Sequence, residues 1–307
     1  MKIDMLNKIL LDKYSEFLAT IDIEIDGSRP WDIKVYNPDL YKNILFNGTL
    51  GFGESYMKGW FDCDRLDLFF EKILRSGIYN EIGGVPLFFG KMKSKLRNLQ
   101  SISRAFQVAE RHYDIGNDLF SLMLDKTMMY TCGYWTKDVS TLEESQLAKL
   151  DLVAKKLDLK PGMKVLDIGC GWGGAAKHFA NNYGVTVVGI TISKEQIEYA
   201  KQNSGNMDVE FRLMDYRDLD EKFDAIYSIG MFEAVGYKNY KEFFEVVRSC
   251  LNEEGAFLLH TIGGNESTTN TDPWIEKYIF PNGMMPSAEQ IAKASEGFFI
   301  FDDWHNI

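Results

Sequence analysis

No apolar run in this chain reaches the ~20 residues that cross a bilayer, and its N-terminus lacks the basic stretch and apolar core of a secretory signal. A cytoplasmic protein is expected. The four cysteines, Cys63, Cys132, Cys170 and Cys250, are scattered without a C-x-x-C pair, which argues against a zinc site or a disulfide framework. No metal is expected, and most of these cysteines read as small buried hydrophobes. Internal repeats and low-complexity stretches are absent from the sequence. Lysine and arginine (34) are outnumbered by aspartate and glutamate (45), and the formal net charge of −11 argues against nucleic acid as a partner. Taken globally, it also argues against an anionic membrane.

The composition is that of an ordered globular protein: 307 residues, 45% hydrophobic and 14% aromatic. This allows one large domain with a smaller companion. Residues 1–76 open amphipathically, alternate strictly over Ile21-Asp22-Ile23-Glu24-Ile25, and show apolar residues at helical spacing from Leu66 to Leu74. That mixture predicts a small N-terminal α+β domain. Gly77, Gly83, Gly84, Pro86 and Gly90 then break periodicity, so residues 77–111 read as a hinge and linker helix. Six basic residues and one acidic residue, Glu110, lie between Lys91 and Arg111, interleaved with Met92, Leu96, Leu99, Ile102 and Phe106. With the preceding Val85-Pro86-Leu87-Phe88-Phe89, this stretch suits an interfacial membrane contact about as well as an ordinary solvated helix.

From Thr141 the pattern becomes regular. Predicted strands end at Ile168 and Ile190, then cover Val209–Leu213, Phe223–Ile229 and Ala256–Thr261. Predicted helices run to Lys156, from Trp172, from Ser193, and over Tyr240–Leu251. Such alternation predicts an α/β fold with a doubly wound, mostly parallel sheet in residues 112–307. Phe298-Phe299-Ile300-Phe301 reads as a sixth strand.

Ligands of such sheets bind beyond the carboxyl ends of the strands. The most informative segment there is Asp167-Ile168-Gly169-Cys170-Gly171-Trp172-Gly173-Gly174, a carboxylate ahead of a glycine turn. Gly169, Gly171 and Gly174 also satisfy the dinucleotide pattern G-x-G-x-x-G. A pyrophosphate would be repelled by Asp167, however, and Thr191 and Ser193 place hydroxyls where a nicotinamide dinucleotide wants an acid. S-adenosyl-L-methionine, carrying a sulfonium and an ammonium, suits the loop better. The other strand ends carry Thr191 to Gln196, then Asp215 to accept from an adenine amino group with Tyr216 over a ring face. Beyond these come Met231-Phe232-Glu233, whose carboxylate sits among apolar neighbours, and His260-Thr261-Ile262.

These residues carry a resemblance. His112-Tyr113-Asp114-Ile115-Gly116-Asn117-Asp118-Leu119-Phe120, Tyr130-Thr131-Cys132-Gly133-Tyr134-Trp135, Asp167 to Gly174, Thr191-Ile192-Ser193 and Asp215-Tyr216-Arg217-Asp218 closely resemble cyclopropane-fatty-acyl-phospholipid synthases. So do His260-Thr261-Ile262-Gly263, Tyr278-Ile279-Phe280-Pro281-Asn282-Gly283 and, nearer the N-terminus, Leu50 to Trp60. The resemblance implies a fold of the S-adenosylmethionine-dependent methyltransferase type. It further implies methyl transfer to a cis double bond of a phospholipid acyl chain, then ring closure. The attacked methyl leaves a carbocation, so the pocket must be dry and tolerate a cation; Tyr134, Trp135 and Phe232 are candidate aromatic faces for it.

In that family the proton is removed by a bound bicarbonate, and the matching holders here are Cys132, Glu233, His260 and the Ile262 backbone. Tyr130, Thr131, Thr191 and Gln196 would contact the cofactor beside Asp167, Gly169, Gly171, Trp172 and Gly173. The implied partner is a phospholipid bilayer with unsaturated chains. The expected location is therefore cytoplasmic and peripheral to the inner face of the membrane, with Lys91 to Arg111 as the contact and self-association as a homodimer. Other fates of the cation, giving a methyl-branched or hydroxylated chain, and a catalytically dead binding remnant are the alternatives. Two departures stand out. Ala234 follows the glutamate where the family usually has histidine, and the chain stops at Ile307 before the family's acyl-pocket helices, its final strand and a bicarbonate-holding tyrosine. The expectation is that this polypeptide alone is poorly stable and weakly active or inactive, unless a partner chain supplies the missing part.

Overall fold

The computed structural model describes residues 4–77 and 117–307. The basic segment from Lys91 to Arg111, the apolar run before it and the first five residues of the motif from His112 lie outside the described residues. The described chain forms two compact units, residues 4–77 with Asn270–Ile279, and residues 117–269 with Phe280–Ile307. No helix among the described residues is long and apolar enough to cross a membrane.

The first unit contains α1 (Met5–Ala19), β1 (Lys34–Val35), α2 (Asp39–Met57), β2 (Phe61–Asp62) and α3 (Leu66–Arg75). The two short strands pair antiparallel, Lys34 opposite Asp62. Leu10, Ile23, Leu40, Phe61 and Phe69 form its core. The alternating Ile21 to Ile25 stretch makes no strand, only an isolated bridge from Ile25 to Ile33. Asp22 and Asp26 adopt positive φ (60° and 56°), and the Glu24 amide donates to the Asp32 carboxylate at 2.8 Å, so the backbone turns there. In the segment Asn270–Ile279, the Tyr278 hydroxyl donates to Glu54 Oε1 at 3.0 Å and Lys277 pairs with the same carboxylate.

The second unit runs α4 (Asn117–Met123), α5 (Leu142–Lys156), β3 (Lys164–Ile168), α6 (Gly174–Tyr183), β4 (Thr186–Thr191), α7 (Lys194–Gln202), β5 (Val209–Leu213), β6 (Phe223–Ile229), α8 (Tyr240–Cys250) and β7 (Leu251–His260). Next come α9 (Pro273–Tyr278), which groups with the first unit, and α10 (Ala288–Ser295). All five strands are parallel, in the order β5-β4-β3-β6-β7. Both faces of this sheet are covered. Val165, Val187, Ala225 and Tyr227 pack with Leu150 of α5 and Phe179 of α6, whereas Leu166, Val188 and Ile226 pack with Phe243, Phe244 and Val247 of α8. Successive strand residues point to opposite faces, which is why the strands read as near-continuous hydrophobic runs.

Four expectations need correction. Helix α6 begins at Gly174, not Trp172, because Gly171 and Gly173 take positive φ (53° and 78°) and keep the chain in a turn. Helix α8 ends at Cys250, and β7 starts at Leu251, opposite Phe223, well before Ala256. A register shift between the Phe223 and Ala225 pairings accommodates Asn252, Glu253 and Glu254. Finally, Phe298 to Phe301 makes no strand. Phe298 and Phe299, though consecutive, both pack on the α8-side core after Gly297 turns at φ 80°, and strand geometry would send them to opposite faces.

Candidate functional site

Strand β3 has β4 on one side and β6 on the other, so the chain reverses its direction of travel across the sheet at β3. Such a switch point opens a crevice at the carboxyl ends. A cleft there is lined by Met128, Tyr130, Thr131, Gly169 to Trp172, Gln196 and Gly230. Space requires glycine at 169, whereas at 171 the positive φ of 53° favours it. A Cβ on Gly169 would lie 2.6 Å from the Met231 side chain beyond β6, while a Cβ on Gly171 would meet nothing within 4 Å and would project into open space. The turn is tied to the sheet by the Gly169 and Cys170 amides, which both donate to the Ile190 carbonyl at 2.9 Å.

Asp167 is buried at the end of β3, with Oδ2 lacking any hydrogen-bond partner. Burial pushes its carboxyl up to about 7, against a smaller opposing effect of the Tyr227 hydroxyl. An unpaired buried carboxyl of this kind is stabilised in its ionised form by a nearby cation, which fits a sulfonium or ammonium ligand. Thr191 and Gln196 are bonded to each other, hydroxyl to Oε1 at 3.1 Å, and Ser193 caps α7 through the Gln196 amide. Trp172 is buried against Phe120, its indole donating to Asn117 at 2.7 Å. Asp215 is buried and held by Arg217, whose Nε and Nη2 donate to its two oxygens at 2.8 and 2.7 Å. Tyr216 turns inward and meets Phe243 edge-on.

A second group lies at the ends of β6 and β7. Glu233 Oε1 accepts from the Ile262 amide at 2.7 Å, and Oε2 is buried without a partner. Burial raises the Glu233 pKa, and the Ile262 amide opposes that rise. His260 Nε2 lies 3.6 Å from the Cys132 thiol, and Nδ1 is buried with no partner. Burial, reinforced by the charge of Lys149, lowers His260 to about 4, so the ring is neutral at pH 7. The structure thus brings Cys132 to His260 and Ile262 to Glu233. The arrangement combines neutral or weakly basic groups with unsatisfied polar atoms, which suits a small hydrogen-bonding anion. The Ile262 backbone, expected among the holders of such an anion, has its amide engaged by Glu233. Phe232, expected as a cation-stabilising face, is wholly buried and stacked on Tyr240 at 4.3 Å, so its ring is committed to the core.

Several residues at the site escape sequence reasoning. Lys149 and Gln146, three apart on α5, are buried and donate to the Thr131 hydroxyl (2.6 Å) and carbonyl (2.8 Å). Asp125 is buried and accepts from the amides of Thr127 and Met129, holding the turn before Tyr130. Gly230 lies so close to Thr131 that a Cβ would fall 2.3 Å from its methyl. The signal that could have found them is the polar face of α5, where Gln146 and Lys149 fall at core spacing with Leu150 and Val153.

Comparison with known proteins follows the same lines. Residues 100–307 match the family model described as mycolic acid cyclopropane synthetase. The cyclopropane-fatty-acyl-phospholipid synthase of Escherichia coli (strain K12) is 54% identical over 296 residues, covering 95% of this chain and 76% of that protein. Among solved structures, the cyclopropane synthase MmaA2 from Mycobacterium tuberculosis superimposes with a TM-score of 0.58 at 36% identity, over 62% of this chain and 73% of that one. The mycolic acid cyclopropane synthase CmaA1 complexed with SAH and CTAB gives 0.56 at 37% identity, over 62% and 72%.

Proposed function

The chain belongs to the mycolic acid cyclopropane synthetase family and is a cyclopropane-synthase-type, S-adenosylmethionine-dependent methyltransferase, and from this we propose that its substrate is an unsaturated phospholipid acyl chain. The product is a cyclopropane ring at the cis double bond, with bicarbonate as the proton-abstracting base. The observation that carries this reading is the juxtaposition of Cys132, His260 and the Glu233–Ile262 pair, with two buried polar atoms, Glu233 Oε2 and His260 Nδ1, left without partners.

S-adenosylmethionine supplies the methyl group, and its cationic centre is matched by the buried Asp167 carboxyl, whose Oδ2 has no hydrogen-bond partner. We assign its contacts to Tyr130, Thr131, Asp167, Gly169, Gly171, Trp172, Gly173, Thr191, Gln196, Asp215 and Tyr216. Gly171 leaves room for a close backbone approach, and Thr191 presents its hydroxyl through the bond to Gln196. Bicarbonate supplies a base weak enough to coexist with the methyl donor. Cys132, Glu233 and His260 would hold it. Neutral His260 accepts or relays its proton, Glu233, made less acidic by burial, donates or accepts through Oε2, and the Ile262 backbone fixes the Glu233 rotamer.

We also propose that the Lys91 to Arg111 segment is the contact with the anionic inner surface of the membrane, between a 1–76 domain and a 112–307 catalytic domain, and that the chain forms a homodimer. The decisive experiment incubates the protein with labelled S-adenosylmethionine and vesicles of unsaturated phospholipid, then reads acyl masses. A gain of one CH₂ with loss of the double bond is expected. A methyl-branched or hydroxylated product would replace the proposed outcome by another cation fate, and binding of the donor without any lipid product would reject turnover.

A further inference from the structure

Lys149 is fully buried on α5. Its ammonium has three protons to donate, yet the Thr131 hydroxyl at 2.6 Å is the acceptor it meets, and no carboxylate lies within ion-pair range among the described residues. Burying a charge on these terms is expensive, and a methionine of similar volume would pack beside Leu150 and Val153 without that penalty. The position therefore has a use for the charge. One turn earlier Gln146 grips the Thr131 carbonyl at 2.8 Å, and the Tyr134 amide donates to the Ser145 carbonyl at 2.9 Å. On its other side Thr131 presses on Gly230. The segment Tyr130 to Tyr134 is thus clamped between α5 and the end of β6. Cys132, in its middle, meets His260.

We propose that Lys149 is a positioning residue of the transfer site: through Thr131 it holds Cys132 against His260, and its buried ammonium favours an anion beside them. This deepens the function proposed above and rests on it. The charged and titratable groups facing Lys149 are Asp125 and Cys132 on the segment before α5, which favour its charged form, and His260 on β7, whose protonation it opposes. Burial nevertheless brings Lys149 down to about 8, which leaves it charged at neutral pH.

The test reads ring and ammonium resonances by NMR in the folded, full-length chain carrying labelled histidine and lysine. In the unmutated protein, His260 should titrate near 4 and Lys149 near 8. In Lys149→Met, the His260 midpoint should rise by about one pH unit, and in Lys149→Arg it should stay within about 0.3 unit of the unmutated value. The acid limb of kcat/KM for lipid should move up by the same interval in Lys149→Met, with the bicarbonate concentration for half-maximal rate rising about tenfold; Lys149→Arg should restore both. A merely structural lysine would lower the rate without moving either quantity. An unchanged His260 midpoint in Lys149→Met, or a Lys149 that is neutral at pH 7 in the unmutated protein, overturns the proposal. The second measurement stands even where Lys149→Met fails to fold. If the unmutated chain makes no cyclopropane lipid, the functional reading falls, whereas the two titrations still decide the electrostatic role.

Discussion

Glu233 and Ile262 are joined across the ends of adjacent strands: the amide of Ile262 donates to Glu233 Oε1 at 2.7 Å, and the other carboxyl oxygen is buried with no partner. One oxygen orients the side chain. The other is available for chemistry, and the Met284 amide fixes the same residue's backbone by donating to its carbonyl at 2.9 Å.

Substitution Glu233→Gln should separate these two uses. A glutamine oxygen can keep the Ile262 bond, so folding should change by less than about 1 kcal/mol. It presents an amide where the proposed reaction needs a carboxyl to exchange protons, and the transfer rate should fall by about 10²–10⁴-fold. Single-turnover acyl mass analysis measures the rate, and calorimetry with S-adenosylmethionine should find affinity within about threefold. A mutant with near-normal turnover would remove Glu233 from proton handling.

Asp167 makes a pH-dependent prediction whose sign can be worked out. Its folded pKa is raised from 3.8 to about 7 by burial. Between those values the folded protein holds a proton that the unfolded chain has lost, so this group's contribution falls as pH rises through the window and is constant above it. The stability gap between Asp167→Asn and the unmutated protein should therefore shift in favour of the mutant by about 4 kcal/mol from pH 4 to pH 7. A cationic ligand reverses the preference by stabilising the carboxylate. Affinity for S-adenosylmethionine should rise up to about tenfold per unit between pH 5.5 and 7 and then level off, and Asp167→Asn should be flat. Urea titrations and calorimetry at matched pH check both.

Much of the sheet was legible because its physics is local. Strands β5 and β6 have the boundaries their hydrophobic runs predict, and β3 ends at Ile168 as expected. The glycine turn after Asp167 was legible because few other residue types tolerate its backbone. What could not be read is what depends on distant partners. Lys149 and Gln146 fall at core spacing on α5, but nothing local names Thr131 as the partner that satisfies them, and Arg217 gives no sign in sequence that it occupies Asp215. The Phe298 to Phe301 run has strand composition, yet the Phe299 ring is captured by Phe244 and Phe257 while Phe301 is exposed beside Trp304. Alternation at Ile21 to Ile25 reflects Ile23 being buried in the first unit's core, in a turn rather than a ladder.

The glycines of the turn should respond unequally to alanine. Gly171 has φ 53° and open space around its missing Cβ. Gly171→Ala should lose only about 1 kcal/mol of stability from left-handed strain, while weakening S-adenosylmethionine binding by at least about tenfold, because the methyl stands where the ligand would approach. Gly173 has φ 78° and a Cβ position 2.5 Å from Phe211 and 3.2 Å from Ala200. Gly173→Ala should lose about 2–4 kcal/mol by adding overpacking to strain. Equal stability losses in the two mutants would contradict the geometry.

Phe232 distinguishes packing from chemistry next to Glu233. Its ring is stacked on Tyr240 at 4.3 Å and edge-on to Phe243 at 5.1 Å, with no exposed face. Were it a cation-stabilising surface, Phe232→Leu would slow the reaction in a protein of normal stability. Buried packing predicts the opposite pattern. Phe232→Leu should lose about 1 kcal/mol and Phe232→Ala about 3–5 kcal/mol in denaturant unfolding. The rate per folded molecule of the leucine variant should stay within about threefold of the unmutated enzyme, because a cation–π contribution of about 2 kcal/mol, had it existed, would have lowered the rate roughly thirtyfold.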